Sequence, residues 1–402
     1  MKSLIILAGK IKKYPTDFVV EEIPLYEPCG EGEHLYITVR KTNMSHDECL
    51  RQIATYFKVS KRDVGYAGRK DFHAVTTQMF SIYLRGKKPE VPKTIGSIEV
   101  LDSSYHANKL RLGHLVGNTF VLRLRDVDEL DFSLLQQRLA TLHAVGLPNF
   151  FGPQRFGNNN NNHLLGMALV KEDWECLIAT LLAGEERHHN FASEGEYKRA
   201  FDAWPFGQPT ERNVLEALVA EKSPQQACKT ISRQLQKLWV NALQSHLFNA
   251  LLQHRITDGT WNTLMFGDLA WKHDGGGRTF EVTKEELHSD DLLNRVDAFL
   301  LSPSGPLWGS KMRLTTGEVH EKEIEVRESF GLDDGHLETM RKFAEGVRRP
   351  LRVEVRESKA TNGTDEFGEY VQLKFTLPAG SYATVVANYC LSPSPWFEKV
   401  AK

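Results

Sequence analysis

The chain begins and ends in strand-type sequence and carries helical sequence between, and this order narrows its fold more than any single motif. From Glu33 to Lys41, the apolar residues Leu35, Ile37 and Val39 alternate with others. That period of two sets one group of side chains on one face of a sheet. Met79 to Leu84 and Thr119 to Val127 read the same way, with Phe120, Leu122 and Leu124 opposing Val121, Arg123 and Arg125. Ser45 opens a helix. Ser45 and Glu48 make a capping-box pattern, and Leu50, Ile53, Ala54 and Phe57 follow at helical spacing. After Gly146 and Pro148 the character changes. Glu172 to Leu182, Arg212 to Ala220 and Pro224 to Leu252 show the helical period. Only Leu264 to Val282, interrupted by Gly275, Gly276 and Gly277, reads there as strands joined by a hairpin turn. Alternation returns at Leu351, Val353 and Val355, and again at Val371, Leu373 and Phe375. The pattern predicts an α/β fold of the α+β type. One mixed-sheet domain, residues 1–147 and 350–402, is interrupted by a large, mostly helical insertion, 148–349. The two ends of that sheet must then meet in space. The asparagine run Asn158–Asn162 reads as a loop or hinge.

Composition excludes several classes. At 402 residues, 41% hydrophobic and 25% charged, the chain suits two ordinary globular domains. No apolar run approaches the ~18–20 residues of a membrane span. The five cysteines (29, 49, 176, 228 and 390) are scattered, with no CxxC, which argues against disulfides and zinc and for a reduced cytoplasm. The adjacent His188 and His189 lack the spacing of a helical metal pair. Charge is uneven: residues 1–125 hold 20 Lys and Arg against 13 Asp and Glu, so the remainder is acidic. A basic front suits a polyanion partner, although on charge alone a chance imbalance on a solvated surface is the better reading. Lys229, Arg233 and Lys237 recur at i, i+4 and i+8, as one basic helical face would require.

Three segments carry candidate chemistry. In Gly65–Gln78, GYAGRKDFHAVTTQ, Asp71 follows Arg69 and Lys70 and precedes a helix-like continuation. A carboxylate beside cations stays ionised and can act as a nucleophile or base. The commoner role for such an acid is to cap the following helix, with Lys70 as a surface partner. In Val116–Phe120, VGNTF, Asn118 and Phe120 lie two apart and share a strand face. An amide and a ring so placed suit a base edge and a base face, or else make a turn before a core phenylalanine. In Lys12–Glu21 a base, a proline turn and an aromatic stand at the head of a strand.

In order along the chain, these segments and others resemble one family, the TruD tRNA pseudouridine synthases. The matching stretches are Lys12-x-x-Pro15-x-Asp17-Phe18-x-Val20-x-Glu22, GEGEHL (30–35), AGRKDFHAVTTQ (67–78), GNTF (117–120), PNFFGPQRFG (148–157), LQSHLFN (243–249), GDLA (267–270), RRPLR (348–352) and LPAGSYAT (377–384). The resemblance implies a pseudouridine synthase catalytic domain with an inserted domain. It implies Asp71 as the catalytic residue, and Phe18, Asn118, Phe120 and Lys12 as residues that bind the substrate nucleotide. It implies transfer RNA as the partner, with the uridine at position thirteen as target, in the cytoplasm. No cofactor or metal is expected, since the reaction involves neither redox nor hydrolysis; no membrane or protein partner is expected either. A non-catalytic RNA-binding protein and a nucleosidase-like hydrolase are the alternatives on the same fold.

Overall fold

The computed structural model describes residues 10–127, 129–183, 194–309 and 311–392. His188 and His189 lie outside the described residues. The chain packs as two units, Met1–Leu147 with Val353–Lys402, and Pro148–Arg352.

The first unit is built on a mixed sheet. Its strands are β1 (Phe18–Pro24), β2 (His34–Thr42), β3 (Val64–Tyr66), β4 (Val75–Tyr83), β5 (Thr94–Ile95), β6 (Ile98–His106), β7 (Leu115–Arg125), β8 (Arg356–Asp365) and β9 (Gly368–Pro378). Their order is β8-β9-β7-β1-β4-β2-β6-β5, with β3 added to β4. β1 and β4 run parallel, whereas β1 is antiparallel to β7. The two ends of the chain do meet: β9 pairs with β7 in the register Phe375 to Phe120 and Leu377 to Asn118. Helix α1 (His46–Tyr56) buries Cys49, Leu50, Ile53 and Ala54 against Leu35, Ile37, Val39, Phe80 and Ile82 of the sheet. Ser45 Oγ accepts the Glu48 N–H at its start, but the Glu48 carboxylate turns to Arg51 and Gln52 and leaves the capping box half made. Helix α2 (Glu129–Val145) ends at Gly146, whose φ of +87° favours glycine. Arg138 of α2 donates to the Cys390 carbonyl of α3 (Ala383–Leu391).

His46, buried at the head of α1, stacks edge-on against Tyr66. Burial, reinforced by Arg69, lowers its pKa from 6.5 to about 4. The unfolded chain therefore takes up a proton that the fold refuses. Stability should be complete above pH 6.5 and fall as pH drops toward about 4. His163 in the second unit acts in the same direction. Denaturant midpoints for His46→Phe should show a shallower decline over that window than wild type; parallel declines would exclude His46 as a source.

In the second unit, helices Asn162–Val170, Trp174–Leu182, Pro209–Val219 and Arg233–Thr257 bury Leu165, Leu177, Leu215, Trp239 and Leu243 in one core. The glycine-interrupted segment is a hairpin, with Thr279–Glu281 antiparallel to Leu269–Lys272. The asparagine run forms a turn through Asn160, and Asn162 starts a helix. One expectation fails here. Pro224 to Leu252 is not one helix: a short helix ends at Cys228, and Ser232 caps a new one from Arg233. Two hydroxyl caps, Ser223 and Ser232, start separate helices because each satisfies its own free N–H groups. Lys229, Arg233 and Lys237 therefore do not form one helical face, and Arg233 is engaged with the Lys342 carbonyl.

Candidate active site

The first motif is anchored before it reaches the sheet. Pro15–Asp17 makes a single 3-10 turn, and Phe18 enters β1. Asp17 is buried and accepts from Arg125 Nε and Nη2 at 2.9 and 2.6 Å. Arg125 reaches Asp365 as well, so the turn is tied to β7 and β8. These two carboxylates raise the Arg125 pKa further, the Asp365 bond foremost. Preceding the turn, Lys12 has a left-handed backbone, φ +58°, an uncommon conformation for a side-chain-bearing residue. Its ammonium lies 3.8 Å from the Phe18 ring centroid.

Residues opposite one another on an antiparallel ladder share a face. β1 sets Val20 against Phe120 and Glu22 against Asn118 of β7. Phe18, Val20, Glu22, Asn118 and Phe120 thus lie on one face. GNTF is part of β7 rather than a turn. Gly117 is required there because a side chain would run into the Leu377 carbonyl of β9.

The loop between β3 and β4 crosses this face and is held at nearly every residue. Gln78 Nε2 donates to the Gly68 carbonyl at 3.1 Å. Arg69 pairs with Asp47 at 2.7 Å. Lys70 is buried, 2.7 Å from Glu22 Oε2, and donates to Asn118 Oδ1 at 2.6 Å. Lys41, buried in β2, donates to the carbonyls of Met44 at 2.7 Å and Asp71 at 3.0 Å. Burial lowers its pKa. His73 meets Asn43 Oδ1 at 3.1 Å. Asp71 itself pairs with Lys12 Nζ at 2.9 Å, and its side chain is 33% exposed.

Two local expectations need correction. No helix follows Asp71. Val75, Thr76 and Thr77 are β-branched and continue as β4 beside β1, so no helix begins there for Asp71 to cap. Nor is Lys70 a surface partner: it is buried against Glu22, and Lys12 is a cation that pairs with Asp71. The Glu22–Lys70–Asn118 clamp was not foreseen. Its one signal was the alternation Phe18, Val20, Glu22, which puts a carboxylate on the Asn118 face. The five residues singled out for chemistry do come together: Lys12, Phe18, Asp71, Asn118 and Phe120 share one region. The rings of Phe18 and Phe120, however, are only 3% and 7% exposed, 6.2 Å apart between centroids.

The motifs of the second unit hold structure together. Asn249 bonds both main-chain groups of Phe151. Asp268 pairs with Arg255, and Arg348 with Glu323, in buried contacts. Among the described residues no group of three or more His, Cys, Asp or Glu is placed to hold a metal ion, and no helix is long and apolar enough to cross a membrane.

A family model described as tRNA pseudouridine synthase D (TruD) matches residues 4–389. A curated protein of Syntrophotalea carbinolica named tRNA pseudouridine synthase D is 35% identical over 392 residues, 95% of this chain and 96% of the relative. One of the same name from Geobacter metallireducens is 36% identical over 389 residues, 94% and 93% of the two chains. A Methanosarcina mazei crystal structure bearing that name superposes with a TM-score of 0.79 at 26% identity, covering 97% of this chain and 94% of its own.

Proposed function

The chain belongs to the TruD family of tRNA pseudouridine synthases, and on that premise we propose that Asp71 is the carboxylate that isomerises a uridine in transfer RNA, the one at position thirteen. The family's reaction detaches the base from its sugar at N1, rotates it and rejoins it through C5. The proton lost from C5 is balanced by one gained at N1, so mass does not change. The target base must leave its stack before the glycosidic bond is reached. A carboxylate meeting it there acts on the sugar, on the base or on a sugar proton; each route uses the anion.

The observation that carries this reading is the Lys12–Asp71 pair. A carboxylate paired at 2.9 Å, still one-third open to solvent, stands on a loop fixed from both sides. Fixing the group beforehand removes the entropy of placing it during reaction. Lys12 and Asn118 contact the nucleotide directly. Phe18 and Phe120 form the apolar floor on which it rests, and Lys70 holds the Asn118 amide oxygen so that its N–H₂ faces the base. The reading predicts tritium release from C5-labelled uridine in transfer RNA, and pseudouridine mapped at position thirteen. Release without the position-thirteen signal would overturn the target but not the reaction.

A further inference from the structure

The aromatic rings expected to meet the substrate are almost closed to solvent, yet the residue after Asp71 carries one that is open. Phe72 is 56% exposed, and among the described residues it has no aromatic or cationic partner. Single exposed apolar side chains are ordinary. This one differs in placement, because its Cα stands one peptide, about 3.8 Å, from that of Asp71. Its backbone is not free to wander. The Phe72 carbonyl accepts the Ala74 N–H at 3.0 Å, the Asp71 carbonyl is held by Lys41, and His73 is held by Asn43. Basic residues stand near it in the chain: Arg69 three positions before and His73 one after, while Lys12 pairs with the neighbouring Asp71. An exposed ring on a held loop, with basic residues close by in the chain, is a pattern that suits unstacked nucleotides, with bases on the ring and phosphates at the charges.

We propose that Phe72 is a stacking platform for the base of a nucleotide adjacent to the target uridine. The inference rests on the reading of Asp71 above. Drawing a uridine out of its stack strips its neighbour of a stacking partner on one side. A ring one residue from the reacting carboxylate is positioned to replace that partner. Stacking accepts any base, so Phe72 adds affinity and holds the strand without reading its sequence.

The test uses the full chain and transfer RNA. Phe72→Ala removes an exposed side chain, so the unfolding midpoint should not move. KM should rise about tenfold or more while kcat at saturating RNA stays within about twofold. Phe72→Trp should restore KM, and Phe72→Leu, apolar but without a stacking face, should not. RNAs abasic at the nucleotide before or after the target then locate the contact. With one of them, wild type and Phe72→Ala should become equal. A KM for Phe72→Ala within twofold of wild type, rescue by leucine as complete as by tryptophan, or an undiminished difference on both abasic RNAs would each overturn the proposal. If Asp71→Asn keeps wild-type activity, the reading of Asp71 fails instead, whatever Phe72 does.

Discussion

Replacing Asp71 by asparagine should abolish product formation while leaving the protein folded and able to bind RNA. The substitution keeps size and hydrogen-bonding shape and removes charge and nucleophilicity. Asp71 is partly exposed and its main chain is held by Lys41, so little of the fold depends on the carboxylate. The amide oxygen still accepts from Lys12. The expected loss in kcat is a thousandfold or more, about 4 kcal/mol of barrier, with RNA affinity within about threefold. Single-turnover tritium release separates the two quantities. A loss of only tenfold, about 1.4 kcal/mol, would remove Asp71 from the chemistry.

The second large effect falls on the clamp behind the loop. Lys70→Met should destabilise the protein by about 3–5 kcal/mol, because it strands the buried Glu22 carboxylate without its cation. It should also lower kcat, since the Asn118 amide loses its fixed orientation. Pairing it with Glu22→Gln removes the stranded charge, so the double variant should be more stable than Lys70→Met alone. Chemical denaturation of the two singles and the double measures this coupling. A Lys70→Met protein as stable as wild type would mean that the pair does no work in the fold.

Much of this was legible in the sequence, for identifiable reasons. The apolar residues of β2, β7 and β9 alternate plainly, and alternation at both ends of the chain foretold that the two ends would meet as neighbours in one sheet; the pairing of β9 with β7 itself was not legible. Asp71 stood out because acid and base are adjacent in sequence. That adjacency also misled. Lys70 and Asp71 are successive residues, yet Lys70 turns to Glu22 and Asn118 while Asp71 takes Lys12 from 59 positions away. Partners of this kind are set by strand register, which local spacing does not contain. The helix-like reading of the continuation after Asp71 passes over Val75, Thr76 and Thr77, whose β-branched side chains favour the strand β4 that pairs with β1. The break before Ser232 was hidden because the apolar period resumes in nearly the same phase beyond it. The burial of Phe120 was one of two readings the sequence left open, and that of Phe18 was not foreseen, since a buried ring and a ring that meets a nucleotide are the same letter.

Purified transfer RNA incubated with the wild-type protein, then digested to nucleosides and analysed by chromatography and mass spectrometry, tests the central assignment most directly. The expected result is conversion of uridine to an isomer of identical mass that elutes as pseudouridine, with no free uracil, and no conversion by Asp71→Asn. Free uracil would identify a hydrolase. Unchanged RNA, or equal conversion by Asp71→Asn, would contradict the assignment of Asp71 as the residue that isomerises the base.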